Sequence, residues 1–154
     1  MKAKVKSYKR KLNNISYDEY FDYLKSIDMP ANLAAFALDI NRYVLSGEDT
    51  LHDSWITAFN VSKSVDIEGY VDTKVGIDLL CAMHHKTLSL NYFGVQEVDC
   101  SLGAKYNQNR PVDLLAHEFT RSERGLFQHF IEFDAGVWIR ILFSQFDYKE
   151  THEQ

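Results

Sequence analysis

From Trp55 onward the apolar residues of this chain recur at every second position, and that period limits the fold more than any other feature of the sequence. Successive side chains alternate across a pleated strand, whereas a helix brings positions three and four apart onto one face. Val75, Ile77, Leu79, Cys81 and Met83 form one row against Lys74, Gly76, Asp78, Leu80 and Ala82; Leu88, Leu90 and Tyr92 alternate with Thr87, Ser89 and Asn91. Phe127, His129, Ile131 and Phe133 run up to the turn residues Asp134-Ala135-Gly136, and Val137, Ile139, Ile141 and Phe143 resume beyond them, which predicts a β-hairpin. A further strand is expected over 112–121, a surface loop over 103–111, and a bulge or close backbone approach at Gly94. The connections are short and hold no helical pattern, so the expected architecture for 51–148 is a mainly antiparallel sheet of about six strands.

The preceding segment has helical spacing. Ser16-Tyr17-Asp18-Glu19 matches a capping box, with Ile15 and Tyr20 placed as a hydrophobic staple, and Tyr17, Tyr20, Phe21, Leu24 and Ile27 make one apolar stripe. Pro30 suits a first helical turn, and Leu33, Phe36, Ala37, Ile40, Tyr43 and Val44 follow at helical intervals. A second helix is predicted over 30–38; Asp39 and Asn41, weak helix formers, either continue it or begin a new turn. The whole therefore reads as a single α+β domain, with two N-terminal helices packed on the sheet.

Six of the 17 Lys and Arg lie within residues 1–12, so the remainder holds 11 bases against 22 acids. The basic stretch, residues 1–14, reads as an N-terminal arm. The acidic remainder repels phosphate backbones and favours cationic partners, which argues against a nucleic-acid ligand. No run of about 18 apolar residues suggests a membrane span, and the N-terminus lacks the apolar stretch of a signal peptide, so a cytoplasmic location is expected. Cys81 and Cys100 lack a CxxC spacing and read as reduced apolar fillers.

Candidate chemistry is sparse. His52-Asp53 suggests a carboxylate-oriented imidazole, but neighbours on a strand point to opposite faces. His84-His85 lacks the HxxxH, HxH or Cys partner of a metal site and reads as a solvated turn. His117 and His129, on different predicted strands, would do acid and base work if paired, although a stabilising cross-strand pair is the commoner role. Phosphate-cradling and nucleophile motifs are absent, so no catalytic, cofactor or metal residue is assigned. The aromatic end, with Trp138, Phe143, Phe146 and Tyr148, reads first as core and second as an interface; Trp138, Arg140, Leu142, Ser144 and Phe146 form its more mixed face.

Leu51-His52-Asp53-Ser54-Trp55, with Met29-Pro30, Phe36-Ala37 and Leu90-Asn91-Tyr92-Phe93-Gly94-Val95, resembles a set of small bacterial proteins built around a Leu-His-Asp-Ala/Ser-Trp segment. His117-Glu118, the hairpin from His129 to Phe133 and the stretch Ile139 to Tyr148 extend the likeness over 29–148. Its motif residues here are His52, Asp53 and Trp55. Proteins of this design occur as immunity proteins beside polymorphic or contact-dependent toxins. The resemblance implies a non-enzymatic, cofactor-free partner of a cationic toxin domain, with Asp66, Glu68, Asp72, Glu97, Asp99 and Trp138 as candidate interface. Two other classes remain open: a small hydrolase or ribonuclease using His52, His117 and His129, and a structural protein that self-associates, as a homodimer for instance, through exposed strand edges.

Overall fold

Ser16 opens the first helix, α1 (Tyr17–Lys25), by accepting a hydrogen bond from the Glu19 amide at 3.3 Å. The computed structural model describes residues 16–101 and 111–152, so the predicted arm, Ile15 of the staple and nearly all of the loop lie outside the described residues. Tyr17, Tyr20 and Leu24 turn inward as the stripe requires. After Pro30 comes α2 (Ala31–Ala37), which buries Leu33, Phe36 and Ala37. Asp39 then begins a new turn: its carboxylate accepts from the Asn41 amide at 3.0 Å and caps a single 3₁₀ turn, Ile40–Arg42, leaving Ile40 on the surface.

Eight strands follow: β1 (Trp55–Val65), β2 (Val71–Leu80), β3 (Lys86–Phe93), β4 (Glu97–Ser101), β5 (Leu114–Glu123), β6 (Leu126–Phe133), β7 (Trp138–Phe143) and β8 (Gln145–His152). They form two antiparallel sheets of four, in the orders β1-β2-β3-β8 and β4-β7-β6-β5, instead of the single sheet of about six that the sequence suggested. The division comes from one bent ribbon. β3 pairs with β8 as far as Phe93 and Gln145, and β4 pairs with β7 from Glu97 and Leu142, so the same two stretches of chain serve both sheets and turn a corner between them. At the corner Gly94 has φ +59°, and a methyl group in its place would overlap Ser144 Oγ, which is the close backbone approach expected there. The corner also shifts the alternation by one residue. Phe143 and Phe146 both face the core, so Phe146 does not share the mixed face of Trp138 and Arg140.

A latch joins the opposite edges of the two sheets. The Asp53 amide donates to the Leu114 carbonyl at 2.8 Å, the Leu114 amide returns to the Ser54 carbonyl at 3.0 Å, and the Trp55 indole donates to Asp113 Oδ1 at 2.7 Å. The result is a half-closed barrel. Its interior is filled by the alternating rows read from the sequence, except that β2 ends at Leu80 and Met83 lies exposed in the turn beyond it, and α2 closes one end with Phe36 lying 5.3 Å from Phe146 and 5.0 Å from Tyr148. Helix α1 covers an edge: the Tyr20 and Tyr23 hydroxyls accept the Phe119 and Arg121 amides of β5, each at 2.8 Å.

An ionic cluster of buried cations and partly exposed carboxylates fastens the segment after α2 to the first sheet. Glu150 Oε1 accepts from Arg42 at 3.1 Å and from Lys86 at 3.4 Å, Lys86 also reaches Asp49 at 2.7 Å, and the Arg42 guanidinium lies 4.8 Å over the Phe36 ring. The Lys86 ammonium holds the Asp49 carboxyl below its ordinary range. Such pairs are well compensated, because neither cation is left in the interior without a carboxylate.

The corner makes a direct prediction. Gly94→Ala should lower unfolding stability by about 1–3 kcal/mol in urea titrations, from a left-handed backbone plus the overlap with Ser144. Adding Ser144→Gly should recover only the overlap, leaving the backbone part of the loss.

Candidate functional site

The histidines of β5 and β6 meet. In the register Phe119 faces His129 and His117 faces Ile131, so the imidazoles are diagonal neighbours on the inner face, with His117 Nδ1 3.0 Å from His129 Nε2. On either side, His117 Nε2 lies 2.8 Å from the Arg42 carbonyl and His129 Nδ1 lies 2.6 Å from the Tyr92 hydroxyl. One proton arrangement satisfies every contact. A carbonyl only accepts, so His117 Nε2 donates to Arg42; neutral His117 then accepts at Nδ1 from His129 Nε2–H, and His129 accepts at Nδ1 from the Tyr92 O–H. Tyr43 stacks on His117 at 4.5 Å and Phe119 on His129 at 3.8 Å.

Burial sets the protonation. It lowers His117 to about 4 and pulls His129 well below the ordinary imidazole value, with His117 beside it adding to the effect; burial also raises the Tyr92 hydroxyl well above its usual range. Both rings are neutral near pH 7, and His129 has no exposure at all. Every ring nitrogen is committed to a protein partner, so no lone pair or proton faces solvent. The geometry supports a cross-strand framework role for the pair; acid and base chemistry needs a group that reaches its substrate.

His52 stands outside this chain. It sits in the latch turn and not on a strand: Asp53 has φ +64°, which brings the neighbouring side chains together, His52 Nδ1 to Asp53 Oδ2 at 3.2 Å. The two side chains do not point apart, as they would on a strand, because the segment is a turn. Trp55, the third motif residue, is held by Asp113, so the motif's visible work is to join the two sheets.

The double histidine also differs from its reading. His84 is exposed in a turn, with φ +58°, but His85 does have a cysteine partner: Cys81 Sγ lies 3.2 Å from His85 Nδ1. A C-x3-H spacing across a tight turn was the signal for it. Among the described residues no group of three or more His, Cys, Asp or Glu is arranged to hold a metal ion. Both cysteines are free thiols, Cys81 buried and Cys100 exposed.

The acidic residues form two groups. Asp66 and Glu68 occupy the β1–β2 turn, where Asp66 Oδ1 accepts from the Glu68 and Tyr70 amides at 2.9 Å. Asp72 reaches across to the corner and accepts from the Gly94 amide at 3.0 Å, and β4 continues from that corner with Glu97 and Asp99 exposed on its outward face. Arg140 bonds to Glu97 and lies 3.8 Å from Asp99, so one guanidinium faces two carboxylates. Trp138 shares that face, half-buried and stacked on Phe130 at 5.9 Å. No protein family, curated protein or solved structure matches this chain.

The buried pair predicts acid sensitivity. An imidazole depressed in the fold binds its proton more readily in the unfolded chain, so its contribution is complete above pH 6.5 and declines as the pH falls towards 4. For His117 the loss is about 3 kcal/mol over that window. Urea midpoints measured from pH 7.5 to 4.5 should fall steeply for the native chain. The fall should be shallower for His117→Gln, whatever its starting stability.

Proposed function

We propose that this chain is an immunity-type binding protein that neutralises a cognate bacterial toxin domain by docking on it in the cytoplasm, without cofactor or turnover. The observation that supports this most is the row of carboxylates from Asp72 through the corner to Glu97 and Asp99, with Asp66 and Glu68 farther along the same hairpin. Five carboxylates there are opposed by Lys63, Lys74 and Arg140, and an acidic ridge of this kind steers a cationic cleft towards itself and occludes it. Trp138 beside the ridge supplies an aromatic anchor of the sort that concentrates binding energy. The resemblance of the Leu51–Trp55 segment to immunity proteins adds to the reading. A histidine-based hydrolase draws less support, because His117 and His129 are enclosed and their ring nitrogens are committed to protein partners.

Co-expression with the toxin domain encoded beside its own gene should restore growth, and the two chains should copurify. Replacing Asp72, Glu97 and Asp99 together by Lys should weaken that complex tenfold or more, chiefly through slower association, and flatten its salt dependence. Unchanged affinity in the triple variant, or no protection by the native chain, would overturn the proposal.

A further inference from the structure

Strand edges present unpaired backbone groups and are ordinarily short, covered or blocked. Here β5 is capped by tyrosines of α1, β4 spans five residues, and β8 lies against α2. β1 is different: it is an edge of eleven residues, and its distal half is exposed. Asp66 donates its amide to the Tyr70 carbonyl at the turn, and counting back in alternation leaves Phe59, Val61, Lys63 and Val65 with N–H and C=O directed away from β2. Among the described residues none pairs with these groups.

The same hairpin is apolar where it leaves the barrel. Val61, Val65 and Val71 are more than half exposed, Tyr70 is 71% exposed, and Ile67 at the tip is 102% exposed. Beside the base of β1, a cavity of about 200 Å³ opens between the sheets, with Ile56 and Phe59 as its β1 wall and Val112, Val137 and Ile139 opposite. One chain thus displays an apolar knob, an apolar hole and a bare edge between them.

We infer that β1 is a dimerisation strand: two copies pair antiparallel across a two-fold axis at Ser62, and Ile67 of each fills the cavity beside Phe59 of the other. The axis fixes the register. Around Ser62, Phe59 meets Val65 of the second copy and Val61 meets Lys63, which are the four residues whose backbone groups point outward. Continuing the count, Ile67 falls opposite Thr57, in the irregular stretch between Ile56 and Ala58 that borders the cavity. The contact is isologous, so a closed dimer results and no fibre can grow. Lys63 does not block it, because its ammonium leans inward to Thr73 Oγ1 at 3.4 Å. Asp72, Glu97 and Asp99 lie towards the corner, away from the paired edge, whereas Trp138 borders the cavity and Asp66 and Glu68 flank Ile67; the dimer is therefore tested on the chain alone, apart from the toxin reading.

Sedimentation equilibrium of the full chain alone should give twice the 17.9 kDa of one chain at micromolar concentration. Val61→Pro removes one outward N–H and no bond of the β1–β2 ladder; Ile67→Ser removes the knob at a fully exposed site where folding is not at stake. Each should weaken self-association tenfold or more, with the far-UV circular dichroism of Ile67→Ser unchanged, while Glu97→Lys should leave the mass at that of a dimer. A native chain that stays monomeric up to 100-fold higher concentration, or a dimer that survives Ile67→Ser undiminished, would overturn the inference.

Discussion

Three layers of this protein meet in a buried line of polar groups: Tyr92 from the first sheet, His129 and His117 from the second, and the Arg42 carbonyl from the segment that follows α2. In a medium of low polarity, a donor or acceptor without its partner costs several times what a satisfied hydrogen bond contributes. The four groups therefore fix one another. Sliding β5 against β6, lifting the Arg42 segment, or turning either sheet would strand at least one of them, so the line acts as a register pin for the whole half-barrel.

The rest of the architecture is consistent with that pin. Arg42 offers its carbonyl to His117 and to the Leu51 amide, while its guanidinium joins the Glu150, Lys86 and Asp49 cluster on the first sheet. Leu51 begins the latch that carries Asp53 and Ser54 to Leu114, so one residue of the 3₁₀ turn connects the dry interior, the ionic cluster and the closure of the barrel. His117, His129, Arg42 and Lys86, buried in this protein, each hold neighbouring segments in position. Outside lie an acidic ridge at the corner and an apolar hairpin whose edge is unpaired among the described residues. Exposed apolar and charged surface of this kind is where a partner finds its contacts.

Much of the local structure was legible in the residues. The capping box from Ser16 to Glu19, the helical stripe of Tyr17, Tyr20 and Leu24, the alternating rows, the Asp134–Gly136 turn and the tight approach at Gly94 are all short-range consequences of geometry. The acidic residues were legible as charges, but their grouping was not: Asp72 joins Glu97 and Asp99 only because the corner carries β4 past it. The pairing of Cys81 with His85 depends on the tight turn between them, which metal-ligand spacings such as HxxxH and HxH do not describe.

What the sequence determined by itself is whatever depends on neighbours a few positions apart: which segments are helical or extended, and which side of each unbroken strand faces inward. What only the tertiary structure decided is the partition of the strands into two sheets, the meeting of His117 with His129 and Tyr92, and the separation of His52 from them. These depend on register between segments far apart in the chain, and the period-two pattern is blind to register, since a strand displaced by two residues keeps its faces but changes all its partners.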